Sequence, residues 1–285
     1  MTTRDTKSLE SHFAFGENWL DYSAQVSQLH VDSAVQCMQR LLGSDDLQGR
    51  TFLDVGCGSG IHSVAAALLG ADVTSVDLDP NCTKSTCRLA DKFGVSDRVD
   101  VKVRSVFDLD PQVDGLHEIV YSWGVLHHTG AMWNAIKSAS ECTRSGGQFI
   151  LSIYRKTRLC SAWEVEKRAY SSSPRLLQWP VQRLFGAAFT TAKMLKDRKG
   201  PIRQRREYFQ YRGMNQSHDF HDWLGGYPYE SARPSEIREF MADQGFIFSN
   251  GFNDDDHVTF GLFGSSCAEY LFKREPDVSK TGSTG

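Results

Sequence analysis

The hydrophobic pattern of the chain changes twice. Up to Tyr154, short β-rich runs alternate with segments of helical spacing. Val31, Val35, Met38, Leu41 and Leu42 fall on one helix face and predict a helix over Leu29–Leu42, closed by Gly43. Thr51–Val55 is a short apolar run stopped by glycines and predicts a buried strand. Ile61–Leu69 is alanine-rich and helical, with Gly70 as its stop. Asp72–Val76, Val99–Val106, Glu118–Trp123 and Gln148–Tyr154 predict further strands, and Asn81–Phe93 and Ala131–Cys142 further helices. Ser145-Gly146-Gly147 reads as the turn into the last of these strands. The alternation predicts an α/β fold, a doubly wound and mostly parallel sheet with helices on both faces. From Arg155 to about Arg233 the alternation is lost. It resumes with a helix from Pro234 to Gln244, a strand-like Phe246–Phe248 and a last strand, Ala268–Lys273.

This divides the chain into an N-terminal helical or lid segment (1–48), a core (49–154), a mainly helical insertion with a substrate lid (155–233), the rest of the core sheet (234–274) and a polar, disordered tail (275–285). A length of 285 residues, with 40% hydrophobic and 24% charged, suits a globular chain of this kind. Charge adds more. The formal net charge is −3, yet Arg155–Arg212 holds 15 Lys/Arg against 4 Asp/Glu, so the rest of the chain is strongly acidic. Met1–Glu10 lacks the apolar core of a signal peptide, and no apolar run approaches the ~20 residues of a membrane span. Seven scattered cysteines form no CxxC pair and no zinc spacing. A cytoplasmic location is the expectation.

The chemistry concentrates in Asp54-Val55-Gly56-Cys57-Gly58-Ser59-Gly60, directly after the first strand. Glycines let the chain turn off a strand and bring backbone close to a ligand, and the following helix points its N-terminal amides into the crevice. The spacing is G-x-G-x-G rather than G-x-G-x-x-G, and an acid precedes it. Asp54 at that place suits a cationic ligand better than a pyrophosphate. A second acid, Asp77, ends the second strand, where a carboxylate accepts from both ribose hydroxyls and repels a 2′-phosphate.

With these residues, the sequence resembles the class I S-adenosylmethionine-dependent methyltransferases. DVGCGSG is similar to that family's first motif and VTSVDLDP to its ribose-binding second. VRSVFDL resembles the adenine-edge motif, IVYSWGVLHHT the fourth-strand motif and SGGQFILSIY the fifth-strand motif. Within the family it resembles a bacterial small-molecule subgroup similar to quinone-methylase-type domains. The resemblance implies a seven-stranded sheet with an antiparallel strand, here Ala268–Lys273, at one edge. It implies S-adenosylmethionine as cofactor and S-adenosylhomocysteine as product. Gly56, Gly58 and Gly60 would approach the methionyl part, with Cys57 a lining spacer, and Asp54 would lie near the ammonium group. Asp77 would hold the ribose and Leu78 would pack on the adenine. Ser105 stands where an acid is common, which leaves the adenine contact weaker or supplied by the backbone at Val106. Ser122 falls on the cofactor side of the fourth-strand motif. Asp79 and Asp108 read as capping or loop acids. A nicotinamide-dependent Rossmann enzyme is the competing reading of the glycine loop.

Methyl transfer from a sulfonium needs positioning and, for a hydroxyl acceptor, a base. His127 and His128 follow the fourth strand. His128 matches the family's L-x-H histidine and ranks first. The carboxylates of the E-V-L-E-H version are missing, so no metal is expected. The N/D-P-P-Y/F signature of nucleobase amine methylation is missing too. Trp123 could face the sulfonium or pack in the core. Gly213–Glu230 concentrates His218, His221, Tyr227 and Tyr229 on what reads as a Gly/Pro-punctuated lid loop, similar to a stretch in a bacterial subgroup of these enzymes. So does His12–Trp19, which makes Trp19 an acceptor-side candidate. The expected reaction is transfer to an oxygen, less favourably a nitrogen, of a small molecule. The alternative is a macromolecular, lipid-linked or phosphorylated acceptor recruited by the basic insertion. A partner protein without activity of its own is a third class.

The insertion itself mixes Leu176, Leu177, Trp179, Leu184 and Leu195 with Arg175, Arg183, Lys193 and Lys196. It fits a solvated helical lid, a helix on an anionic membrane surface, or an attractor for an anionic substrate. No RNP-like motif is present, so nucleic acid is disfavoured. The sequence leaves the oligomeric state open.

Overall fold

A computed structural model of the chain describes residues 15–197 and 216–276. Its centre is a seven-stranded sheet in the order β3-β2-β1-β4-β5-β7-β6. The strands are β1 (Thr51–Val55), β2 (Asp72–Asp77), β3 (Val99–Val103), β4 (His117–Trp123), β5 (Thr143–Tyr154), β6 (Phe246–Phe252) and β7 (Cys267–Arg274). The first five run parallel, and β7 pairs antiparallel with both β5 and β6. The antiparallel strand expected at this side of the sheet is Cys267–Arg274. It inserts one place inward, and Phe246–Phe252 takes the outermost position.

The central strands carry apolar side chains on both faces because both faces are covered. On one face Phe52, Tyr121, Ile150 and Leu271 pack against α2 (Gln28–Leu42) and α3 (Ile61–Leu68). On the other, Leu53, Val120, Phe149 and Phe272 meet α6 (Met132–Glu141) and α10 (Pro234–Asp243). Successive residues of one strand thus feed two cores, as the two-residue period of a strand requires. Each such side chain gains ~1.5–3 kcal/mol by leaving water. α1 (Phe15–Gln25) and α4 (Pro80–Lys92) pack together beside the first core, and the short α5 (Pro111–Asp114) precedes β4.

Two segments differ from the sequence pattern. The third strand stops at Val103, because Ser105 turns the chain into a 3-10 turn over Val106–Asp108 and accepts from the Phe107 amide. Ser145-Gly146-Gly147 lies inside β5, not before it. Gly146 has φ +71°, and the β4–β5 register shifts between His117 and Ile119, so these residues form an irregularity in a longer strand.

The insertion holds α7 (Cys160–Ser171), α8 (Arg175–Asp197) and α9 (Gln216–Gly225). The lid segment expected as a loop is therefore helical over its first part, and Gly225-Gly226 ends the helix. Arg155 leads out of β5. Its buried guanidinium donates to Asn253 Oδ1, to Asp255 Oδ1 at 2.7 Å and to the His257 carbonyl at 3.1 Å, which fixes the loop before β7. The tail from residue 277 lies outside the described residues.

Candidate active site

The strand order reverses between β1 and β4, and the crevice of a doubly wound sheet opens there at the carboxyl ends of the strands. The loop after β1 and the loop after β4 flank that point. Gly56, Gly58 and Gly60 all have positive φ, at 76°, 54° and 84°. At Gly60 a Cβ would lie 2.5 Å from Thr86 Cα, so glycine alone lets α3 start against α4. At Gly58 a Cβ would meet the Trp19 indole at 3.5 Å, ordinary van der Waals contact, so α1 lies over this edge of the loop.

Asp77 ends β2 beside this loop. The Gly58 amide donates to its Oδ2 at 3.0 Å and the Asp79 amide to its Oδ1 at 2.9 Å. The Cys82 thiol also hydrogen-bonds this carboxylate, which keeps acceptor capacity for an incoming hydroxyl. Burial raises the Asp77 pKa, and the two amides and the Cys82 thiol work against that rise. The residues present therefore fit a ribose. Leu78 follows, half-buried. Asp79 caps α4 by accepting from the Asn81 amide at 2.8 Å, and Asp108 sits exposed in the turn that Ser105 caps.

Asp54 is placed differently from a residue lining the crevice. It is buried beneath the loop and accepts from Ser63 Oγ at 2.5 Å, while Ser75 donates to Ser63 at 2.8 Å. Burial pushes its pKa up to about 7, against the opposing effect of the Ser63 hydrogen bond. Cys57 is buried with its sulfur accepting from Thr86 Oγ1 at 3.2 Å, and burial raises its thiol well above the ordinary value. Ser122 donates to the Val55 carbonyl at 2.9 Å, so its hydroxyl ties β4 to β1. Trp123 stacks on Tyr121 at 5.7 Å and lies 5.8 Å from His62, against the first core.

The two histidines after β4 are in unlike surroundings. His127 is 0% exposed, and neither ring nitrogen has a hydrogen-bond partner. Its ring lies 4.0 Å from Tyr154 and 4.3 Å from His128. Burial, with smaller effects from His128 and Lys167, holds its pKa well below the ordinary value. His128 is half-buried, with Nδ1 2.8 Å from the Pro228 carbonyl oxygen. A carbonyl only accepts, so Nδ1 carries the proton and the neutral ring has its lone pair on Nε2.

The insertion closes over these residues. Asn18 in α1 donates to Asp222 Oδ1 in α9 at 2.7 Å. His221 Nδ1 pairs with the Tyr170 hydroxyl at 2.9 Å, joining α9 to α7. Tyr227 is half-buried. Tyr229 is buried, its hydroxyl 2.5 Å from Ser265 Oγ and 3.4 Å from Cys160 Sγ. The His218 side chain and residues 12–14 lie outside the described residues. Thus Trp19 lies against the glycine loop, His221 against α7 and His128 against Pro228, whereas Ser122, Asp54 and His127 are buried.

Sequence reading missed two groups with shifted titration, one fully buried and one half-buried. Lys167 is 0% exposed, donates to the Trp223 carbonyl, and lies 3.9 Å above the Trp223 ring and 5.4 Å from that of Tyr229. Burial lowers its pKa despite the opposing charge of Glu166. The signal was its position between Trp163 and Tyr170 on one helix face. His62, in the first turn of α3, is pushed to about 4 by burial. Among the described residues no group of His, Cys, Asp or Glu could hold a metal. An open depression of about 510 Å³ lined by Thr51, Asp72, Arg98 and His117 lies at the opposite end of the strands, away from this chemistry.

Comparison with known proteins agrees with this geometry. The family profile described as "Methyltransferase domain" matches residues 53–151. The ubiquinone biosynthesis O-methyltransferase of Xanthomonas oryzae pv. oryzae (strain PXO99A) is 31% identical over 164 residues, 57% of this chain and 66% of that protein. The chain thus spans just under two thirds of that curated relative. Magnesium protoporphyrin IX methyltransferase from Synechocystis PCC 6803, solved with bound SAH, superposes with a TM-score of 0.51 at 16% identity, covering 87% of this chain and 84% of that one. PKMT2 from Rickettsia typhi, solved in complex with AdoHcy, gives 0.55 at 15% identity over 85% of this chain and 52% of that one. No helix among the described residues is long and apolar enough to cross a membrane. Residues 53–151 match a methyltransferase domain, and the seven-stranded sheet around them has the class I methyltransferase fold.

Proposed function

We propose that this protein transfers a methyl group from S-adenosylmethionine to an oxygen of a small molecule held between the ends of β4 and β5 and helix α9. The observation that carries this reading is the pairing of the glycine loop with Asp77, whose carboxylate takes the Gly58 amide and keeps acceptor capacity for a ribose hydroxyl. An O-methyl product is in line with the O-methyltransferase among its relatives.

Bound S-adenosylmethionine supplies a methyl group already activated on a sulfonium, so the protein positions the acceptor, removes its proton and excludes water. Asp77 orients the cofactor through the ribose. Trp19 covers the glycine loop at Gly58, and the Asn18–Asp222 hydrogen bond holds α1 and α9 over the crevice. His128 acts as the base. Its Nδ1–H is held by Pro228, and Nε2 takes the acceptor's hydroxyl proton as the oxygen bonds to the methyl carbon. His127 packs between His128 and Tyr154 and orients the ring beside it. The Tyr229 hydroxyl is engaged by Ser265 and Cys160, so Tyr229 forms a wall of the acceptor site, with Tyr227, and not a proton donor.

The test is a screen with isotope-labelled S-adenosylmethionine against quinols and phenols, carboxylates and amines, read by mass spectrometry. A singly methylated oxygen product from a quinol or phenol is expected. Transfer to amines alone, or none to any class by protein that binds S-adenosylhomocysteine, contradicts the reading.

A further inference from the structure

Helix α8 is 23 residues long and exposes the wrong side for a helix packed on a globular core. One face is tied down. Phe185 stacks on Trp223 at 5.0 Å, Phe189 lies 5.2 Å from Phe220, and buried Gln178 donates to the carbonyls of Tyr170 and Ser173. The opposite face is also apolar, and it is in water. Leu176 is 88% exposed, Leu184 72% and Leu195 78%, with Leu177 and Val181 also exposed. At 3.6 residues per turn these fall within an arc of about 140° that contains no charged residue.

Charge borders that arc on one side of the helix. Arg175, Arg183 and Lys193 lie outside it, and no carboxylate occurs from Arg175 to Lys196. Exposed Trp179 sits at its border with Arg183 4.9 Å above the ring. Next to the helix, Phe263 packs on Phe185 and Phe189, while Phe260 and Leu262 of the same loop remain exposed. An exposed apolar arc with a cationic flank is the pattern of a helix that lies in the plane of an anionic bilayer surface. It does not suit an antiparallel two-fold contact with a second copy, which would bring one basic flank against another.

We infer that α8 docks on an anionic lipid surface, with Leu176, Leu184 and Leu195 immersed at the headgroup–acyl boundary and Arg183 and Lys193 against lipid phosphate. The helix lies on the bilayer, since it is not apolar enough to cross one. α8 also carries the aromatic platform that supports α9, so docking would set the acceptor side of the protein against the membrane.

The test is flotation of the full chain with vesicles of phosphatidylcholine alone and of equal parts phosphatidylcholine and phosphatidylglycerol. Binding to the anionic vesicles at least about tenfold tighter, falling with salt, is expected. The double variant Leu176→Glu/Leu184→Glu should lose about tenfold or more of that binding with unchanged circular dichroism and melting temperature. Arg183→Gln/Lys193→Gln should weaken binding and flatten its salt dependence. No vesicle binding, equal binding by the Leu→Glu variant, or a dimer in sedimentation equilibrium that this variant dissolves without any vesicle binding overturns the proposal. No turnover is read, so failure of the methyl-transfer reading is a separate result.

Discussion

Asn18 and Asp222 are separated by 204 positions in the chain and by 2.7 Å between Nδ2 and Oδ1. This bond joins the helix before the core to the helix that ends the insertion, across the edge where the glycine loop and His128 lie. A hydrogen bond to a charged group contributes about 1.5–3 kcal/mol. Partial exposure puts this one at the lower end. Asn18→Ala should therefore speed S-adenosylhomocysteine release by about tenfold and leave its association rate nearly unchanged, as read by stopped flow. A release rate equal to wild type would mean the two helices do not act as a closure.

The His128–Pro228 contact makes a prediction about the chemical step. His128→Ala should lower turnover by about 10²-fold or more. Affinity for S-adenosylhomocysteine should stay within about twofold, because the ring touches the lid and not the glycine loop. Turnover at wild-type level would remove His128 from the mechanism. His127→Gln should act differently. Burial keeps His127 neutral, so its loss should affect melting temperature along with turnover.

Asp54 gives a pH signature of stability. Its folded pKa of about 7 lies above that of an unfolded aspartate, roughly 4. Below pH ~4 both states hold the proton. Between ~4 and ~7 only the folded state holds it, so stability falls as pH rises, and above ~7 the loss is complete. Asp54→Asn keeps an acceptor for Ser63 and removes the titration. Relative to wild type it should gain about 1–4 kcal/mol across this window, measured by urea unfolding at a series of pH values. A gap independent of pH would show that the buried carboxylate does not titrate there.

Gly60→Ala tests the packing of the loop. The new Cβ would meet Thr86 backbone at 2.5 Å in a left-handed conformation, φ +84°. A loss of about 2 kcal/mol or more is expected by chemical unfolding. Gly43→Ala shares the left-handed backbone but meets nothing within 4 Å, so it should cost less. Equal losses would deny the contact with α4.

The core was legible in the sequence because strand and helix periods are local. The Thr51–Val55 run, the glycines after it and Asp77 at the end of the next strand required no tertiary information. The insertion was not legible in the same way. Lys167 looks like one more surface cation by composition, and only its place between Trp163 and Tyr170 on one face hints at burial. Ser122 and Asp54 sit in motif segments, but their side-chain directions follow from strand pairing and from Ser63, twelve positions before its partner Ser75. The pairing of Asn18 with Asp222 depends on how two distant segments close over the sheet, which no local pattern records. The position of β7 inside β6 is likewise a matter of strand order, invisible to periodicity.

The central claim is that the glycine loop and Asp77 form one nucleoside-binding site. Isothermal titration of S-adenosylhomocysteine into wild type, Asp77→Asn and Asp77→Ala tests it most directly, with circular dichroism to verify that each variant is folded. The account predicts one site per chain in wild type and an affinity at least about tenfold weaker in both variants, the loss expected for a half-buried charged acceptor of ribose hydroxyls. No heat of binding in wild type, or an unchanged affinity in folded Asp77→Ala, would contradict it.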